Sequence, residues 1–238
     1  MESVLDRVIK QNTENVNLLK TKDYNIFSVL QIQSKEVLIC RMIADLLNPR
    51  GQHGAGAEYL KIFLRDCLGM EKMDTKLADQ AIVTAEYAID DERRIDIVIE
   101  IGSYFLPIEV KIYAADQKSQ CFDYYQYAKR RDAQAKVYYL TLDGHRPGKD
   151  STSSGNRSVT EEDIVCLSFR EHILNWLKAC KNCGNTGMIP ILEQFIHNIE
   201  QISGYTSERV RNMVIDEVLV SGDSLRAGMQ IADSINAA

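Results

Sequence analysis

The strongest constraint on the fold is a predicted β-hairpin in the middle of the chain, RRIDIVIEIGSYFLPIEVKI at residues 93–112. Its first half alternates apolar and charged residues, which is the period of a β-strand. Gly102 and Ser103 form a suitable two-residue turn, because a type II′ turn places glycine first. The register that this turn sets puts Asp96 directly opposite Glu109, so two carboxylates face each other across the hairpin.

The paired acids need a compensating charge. Carboxylates directly opposite each other in an antiparallel pair have Cβ atoms about 5 Å apart and destabilise the sheet. A divalent cation fits, because Mg²⁺ is held by a few carboxylates together with waters and substrate phosphates. Lys111 points the same way as Glu109, since alternate strand residues share a face, and there it can orient a water or meet charge on a phosphate. The alternative is a solvated sheet face on which Arg94 and Lys111 neutralise the acids.

The same register predicts which face of the hairpin is buried. We expect the apolar face to form the core and the charged face, with Arg94 and Glu100, to lie on the other side. Pro107 cannot donate a hydrogen bond, so its strand is an edge at that point or the register contains a bulge. The predicted apolar pairs are Ile101 with Tyr104, Ile99 with Leu106, Ile97 with Ile108, and Ile95 with Val110.

The elements around the hairpin alternate between helix and strand. A helical stripe covers residues 1–30, and a helix capped by Ser34 ends just before Pro49. Another strand precedes the hairpin and carries a third acid, Glu86. A helix and a strand follow, which predicts a mixed α/β core rather than repeating βαβ units. The composition of residues 143–158 predicts a mobile surface loop, and Ser168 with Glu171 forms a capping box for a later helix.

Charge and hydropathy narrow the classes of partner. The net charge of −6 gives no general attraction to nucleic acid, so contacts with a phosphate backbone require local basic clusters. No segment has the apolar core of a signal peptide or the length of a membrane span, and we expect a cytoplasmic protein without membrane contact. The candidate clusters are Lys129, Arg130 and Arg131 at a helix end, and Arg146 and Lys149 in the following loop.

Taken together, these motifs resemble the PD-(D/E)xK nuclease superfamily. Asp96 is followed in the next strand by the E-x-K triplet of Glu109, Val110 and Lys111. The next helix has the Q-x-x-x-Y spacing of RecB-like members at Gln120 and Tyr124, and a bacterial subfamily has a first-helix glutamate similar to Glu36. The resemblance implies a restriction-endonuclease-like core, α-β-β-β-α-β, with a mixed sheet flanked by helices. We expect one domain over residues 1–238, with the core at about 30–170 and extra N- and C-terminal helices.

The resemblance also implies a role for each residue of the motifs. Asp96 and Glu109 would hold one or two Mg²⁺ or Mn²⁺ ions, with the carbonyl of Val110, and Glu86 or Glu36 would complete the site through water. Lys111 would position or deprotonate the attacking water. Gln120 would orient Lys111 or contact the scissile strand. Tyr124 would lie on the same face of the helix as Gln120, towards the substrate.

The implied activity is hydrolysis of nucleic acid, with DNA favoured, and the implied assembly includes a homodimer. One alternative is an inactive nucleic-acid-binding or protein-interaction module on the same fold. Another alternative is a structural protein whose acids are only surface charges.

Overall fold

A five-stranded mixed sheet forms the centre of the computed structural model, which describes residues 24–205 except 72 and 184. The strands are β1 (Ile82–Ala88), β2 (Arg94–Ile101), β3 (Tyr104–Lys111), β4 (Val137–Thr141) and β7 (Ile164–Ser168), in that order across the sheet, with β5 (Ser153–Ser154) and β6 (Arg157–Ser158) forming a separate small pair. The first three strands are antiparallel, whereas β3, β4 and β7 are parallel. The predicted mixed α/β core is confirmed.

Helices precede, connect and follow the strands. They are α1 (Ile26–Val29), α2 (Glu36–Leu47), α3 (Glu58–Asp66), α4 (Thr75–Ala78), α5 (Gln120–Arg131), α6 (Lys149–Thr152), α7 (Leu174–Cys180) and α8 (Ile189–Ile202). Within residues 24–205, no helix has both the length and the apolar character that a membrane span requires. The helices predicted in residues 1–23 and 206–238 lie outside the described residues.

The hairpin register follows the prediction as far as Ile97 and Ile108, but the predicted pair of Ile95 with Val110 is not part of the ladder. Ile101 pairs with Tyr104, and the ladder continues through Ile99 with Leu106 to Ile97 with Ile108. Gly102 has a φ of +56° and Ser103 does not have a positive φ, as a type II′ turn requires. Strand β4 joins β3 only from Ile108 onwards. Pro107 therefore lies at a local edge, which is one of the two arrangements that its missing N–H allows.

The prediction of one buried and one charged face is wrong, because helix α5 covers the charged side of the hairpin. Val98 and Phe105, which share that side with Asp96 and Glu109, are buried in a cluster with Tyr124 of α5. Ile95 joins the same cluster, so the alternation of β2 breaks at Asp96. An alternating pattern shows which residues share a face, but it does not show whether a helix packs on that face.

Two local predictions also need correction. Helix α2 begins at Glu36 with Lys35 as its N-cap and no side-chain cap bond, so Ser34 does not cap it. The segment 143–158 contains α6 and the β5–β6 pair rather than a mobile loop. Its small polar residues hydrogen-bond the start of α5. The Ser151 hydroxyl, for example, is buried and accepts from the backbone N–H of Cys121. Ser168 does cap the helical segment after β7 and accepts from Glu171 N–H.

Candidate functional site

The candidate site lies where β2 and β3 separate beyond the pair of Ile97 and Ile108. The N–H groups of Val110 and Ile112 point to the same edge of β3, because alternate residues of a strand do so. Carboxylates take the place of strand carbonyls there. Val110 N donates to Asp96 Oδ2 over 2.7 Å, and Ile112 N donates to Glu36 Oε2 over 2.9 Å. The two acids are thereby held side by side along the end of β3.

Asp96 and Glu109 lie next to each other, although the β2–β3 ladder ends at Ile97 and Ile108 and does not include the predicted pair of Asp96 with Glu109. Their carboxyl groups are close enough to share a hydrogen bond when one is protonated. Glu109 is 1% exposed. Burial, followed by the charge of Asp96, raises the pKa of Glu109 well above its usual range. Burial also raises the pKa of Asp96, although the hydrogen bond from Val110 N–H opposes that shift.

Lys111 is the positive partner of the acid pair. Its Nζ lies 2.5 Å from Glu109 Oε1, and both side chains are buried. Burial lowers the pKa of Lys111, but the attraction and hydrogen bond of Glu109 outweigh that effect. Asp96 and Glu36 add to the attraction, and the pKa of Lys111 is raised overall. These surroundings favour the charged ammonium group, and the solvated-face alternative is wrong for Glu109 and Lys111 because both side chains are buried.

The acid pair has the properties of an incomplete cation site. Glu109 Oε2 is buried without a hydrogen-bond partner in the described part of the chain. The carboxyl groups of Glu36, Asp96 and Glu109 outnumber the ammonium group of Lys111 that they attract, and the pKa values of Asp96 and Glu109 are raised. Within residues 24–205, no group of three or more His, Cys, Asp or Glu is arranged to hold a metal. An ion that keeps several waters and needs one or two carboxylates, such as Mg²⁺, fits this donor set.

Glu86 does not join the acid pair in this arrangement. It has a φ of +54°, and it is missing from the β1–β2 ladder opposite Asp96. Its Oε2 accepts from Arg41 Nη2 over 2.6 Å and from Arg41 Nε over 3.0 Å. A non-glycine residue with a positive φ is strained, and here the strained backbone directs the carboxylate to α2. Glu36 is the third acid at the end of β3 instead.

Gln120 and Tyr124 lie on one face of α5, as their spacing of four residues predicts. Gln120 Nε2 donates to Tyr124 Oη over 3.1 Å, and Tyr124 Oη donates to the Arg94 carbonyl over 2.5 Å. Tyr124 is 1% exposed, so it does not face a substrate as predicted. The pair connects the start of α5 to the start of β2, two residues before Asp96.

We expect Tyr124→Phe to lower the free energy of unfolding by about 1–3 kcal/mol, because it removes the acceptor of the buried Gln120 Nε2 and the donor to the Arg94 carbonyl. Urea unfolding measures this change. Tyr138→Phe is the matched control, since Tyr138 is also buried but its hydroxyl forms no hydrogen bond in the described residues. It should change the stability by less than about 0.5 kcal/mol. Equal effects of the two substitutions would contradict the anchoring role.

The predicted substrate-binding cations fall into two places. Arg131 lies at the far end of α5, about 16 Å along the helix from Gln120, and is paired with Glu100 over 2.8 Å. Lys129 and Arg130 share that end, where they lie over tyrosine rings. Arg146 and Lys149 follow β4, whose end lies beside the end of β3 because the two strands are parallel.

The segment with Arg146 and Lys149 is fixed next to the site. Gly148 N donates to Asp116 Oδ2 over 2.7 Å, and Tyr139 Oη donates to Asp116 Oδ1 over 2.6 Å. These hydrogen bonds connect the segment that carries Arg146 and Lys149 to Asp116, five residues after Lys111 in the chain.

Sequence reasoning missed two residues of α2, Cys40 and Arg41. Cys40 is 1% exposed. Burial, with the nearby charges of Asp96, Glu36 and Glu109, raises the pKa of the Cys40 thiol. The helical period could have indicated Cys40, because a residue four positions after Glu36 lies on the same face of the helix.

Comparison with protein families agrees with the motifs of the hairpin and α5. A family model described as the PD-(D/E)XK nuclease superfamily matches residues 24–197, which include α2, the hairpin and α5. The match confirms the resemblance predicted from the sequence. Searches of curated proteins and of solved structures return no match.

Proposed function

Since the chain belongs to the PD-(D/E)XK nuclease superfamily, we propose that it hydrolyses phosphodiester bonds in nucleic acid with the help of a divalent cation. The observation that carries the proposal is the buried carboxyl group of Glu109, with the half-buried Asp96 beside it and Lys111 against it. A buried carboxylate with a second acid beside it is costly for stability, and a bound divalent cation in a hydrolase would compensate that cost.

The residues of the site would divide the chemistry as follows. Asp96, Glu109 and the carbonyl of Val110 would hold Mg²⁺ or Mn²⁺. When bound, such an ion polarises a phosphate oxygen and lowers the pKa of a coordinated water. Glu36 keeps the backbone of Ile112 in place, and thereby fixes the end of β3 that carries Lys111.

Lys111 would act as a fixed positive charge beside the phosphate. Its pKa is raised, so a neutral amine that could take a proton from water is disfavoured at neutral pH. A preorganised ammonium in a buried site stabilises the negative charge that develops on the phosphate during hydrolysis. Electrostatic stabilisation therefore agrees better with the surroundings of Lys111 than general-base catalysis does. Gln120, through Tyr124, would keep α5 positioned over the site.

The substrate would be DNA in preference to RNA, held by Arg146 and Lys149 beside the site. Lys129, Arg130 and Arg131 lie too far along α5 to contact the same phosphate and would meet a more distant part of the backbone. Cytoplasmic localisation and a homodimer stay predictions.

A cleavage assay tests the proposal. The protein is incubated with single-stranded, double-stranded and branched oligonucleotides of DNA and RNA, in Mg²⁺ or Mn²⁺ and in EDTA. We expect cleavage that requires the metal. Tight binding without cleavage of any substrate in either metal would favour the inactive module instead.

A further inference from the structure

Tyr113 is an exposed aromatic residue next to the proposed catalytic strand. It lies two residues after Lys111, and 68% of its surface is exposed. It makes no hydrogen bond or ring contact within the described part of the chain. Large apolar surface in contact with water is unfavourable, and an aromatic side chain at the edge of a nucleic-acid site is a candidate for stacking on a base.

The backbone on both sides of Tyr113 is held in place. Ile112 N is bonded to Glu36 on one side. On the other side, the carboxylate of Asp116 accepts from Tyr139 and Gly148. The ring is therefore presented from an anchored segment. An anchored backbone loses little conformational freedom when the side chain that it carries binds a ligand, which favours affinity.

The position of Tyr113 relative to Lys111 suits a nucleotide. Two residues of extended chain span at most about 7 Å between Cα atoms, so the Tyr113 ring lies within reach of a base attached next to the phosphate at Lys111. Val37 and Leu38, which follow Glu36 in α2, are also exposed, at 44% and 39%. Exposed apolar side chains therefore follow both partners of the hydrogen bond between Glu36 and Ile112. Val37 and Leu38 follow Glu36, and Tyr113 follows Ile112.

We propose that Tyr113 stacks on an unpaired nucleobase next to the scissile phosphate, so that the protein prefers single-stranded or frayed nucleic acid to intact duplex. The inference rests on the proposed function. A base inside a duplex is stacked on its neighbours and does not present its ring face, whereas an unpaired base does. Stacking on an aromatic side chain strengthens binding by about 5- to 150-fold per base.

Binding and cleavage are measured separately for wild type, Tyr113→Ala, Tyr113→Phe and Tyr104→Ala. Tyr104 is the matched control, because it is a 40% exposed tyrosine at the opposite end of the same strand. The probes are a single-stranded DNA oligonucleotide that carries the fluorescent base 2-aminopurine and the same oligonucleotide in a duplex. Binding is measured in EDTA, so that it does not depend on cleavage.

We expect Tyr113→Ala to weaken binding of the single strand by about 5- to 150-fold and to abolish the quenching of 2-aminopurine. Tyr113→Phe and Tyr104→Ala should behave as wild type, and binding of the duplex should change little. The inference is overturned if wild type does not bind the single strand, if Tyr113→Ala binds it as wild type does, or if Tyr113→Phe loses as much as Tyr113→Ala. Equal losses on single strand and duplex would also overturn it.

The two proposals fail in different ways. Absence of cleavage with Mg²⁺ or Mn²⁺ contradicts the nuclease function, whatever the quenching shows. Normal cleavage by wild type together with unchanged quenching in Tyr113→Ala contradicts only the stacking role.

Discussion

Replacement of Lys111 by alanine is expected to lower kcat for nucleic-acid cleavage by about a thousandfold, with little change in KM. A preorganised group that stabilises charge in the transition state contributes about 10²–10³-fold to the rate, and Lys111 is the buried cation of the acid pair. Single-turnover cleavage in Mg²⁺ measures the effect. Lys136→Ala is the matched control, because Lys136 is an exposed lysine just before β4 and should keep activity near that of wild type.

The Lys111 prediction also needs a control for folding. Removal of the ammonium leaves Glu109 buried without its counter-charge, although the carboxyl can respond by binding a proton, because its pKa is already raised. Lys111→Gln retains hydrogen-bonding atoms and serves as a second variant, and thermal unfolding of both variants shows whether they fold. A folded Lys111→Gln protein with kcat within tenfold of wild type would contradict the catalytic role.

Stability without metal is expected to fall as the pH rises above about 4.5, the ordinary pKa of a glutamate. Below that pH Glu109 is protonated in both the folded and the unfolded state, so its contribution is fully present. Above it the unfolded chain releases the proton while the folded protein retains it up to the raised pKa of Glu109. The free energy of unfolding therefore decreases through this window. Asp96 shifts in the same direction.

A divalent cation should reverse much of that loss, because it binds the ionised carboxylates of the folded state. At a metal concentration of 100 times Kd, the gain is about 2.7 kcal/mol, which corresponds to a rise in Tm of about 5–10 °C for a chain of this size. Thermal unfolding from pH 4 to 8, with and without Mg²⁺, measures both effects.

Two variants make the stability test specific. Glu109→Gln should flatten the pH dependence relative to wild type and should lose the metal effect. Glu86→Gln is the matched control, because Glu86 is a partly exposed carboxylate paired with Arg41. It should respond to Mg²⁺ as wild type does. Equal metal effects in Glu109→Gln and wild type would show that the ion binds elsewhere.

The sequence predicted the hairpin and its acid pair because both depend on local rules. A Gly-Ser turn sets the register, and the register places Asp96 opposite Glu109 without any information from distant residues. The order of helices and strands was predictable for the same reason. The burial of Glu109 and Lys111 was not, since it depends on α5, which packs over the strands from a later part of the chain.

The roles of Glu86 and Glu36 were left open by the sequence and depend on long-range contacts. Strand alternation does not reveal that Glu86 adopts a positive φ and turns to Arg41. The polar segment 143–158 was predicted as mobile because composition alone cannot distinguish residues that face water from residues that hydrogen-bond a helix start. Ser151 belongs to the second kind.

The proposed hydrolytic site requires a cation between the carboxylates of Asp96 and Glu109. Crystals of the protein soaked in Mn²⁺, with data collected at the manganese absorption edge, test this directly. We expect an anomalous difference peak in contact with a carboxylate oxygen of each residue, at about 2.0–2.3 Å. Two results would contradict a cation bound by Asp96 and Glu109. One is the absence of a peak between well-ordered carboxylates that are fully ionised. The other is a peak that occurs only at another site.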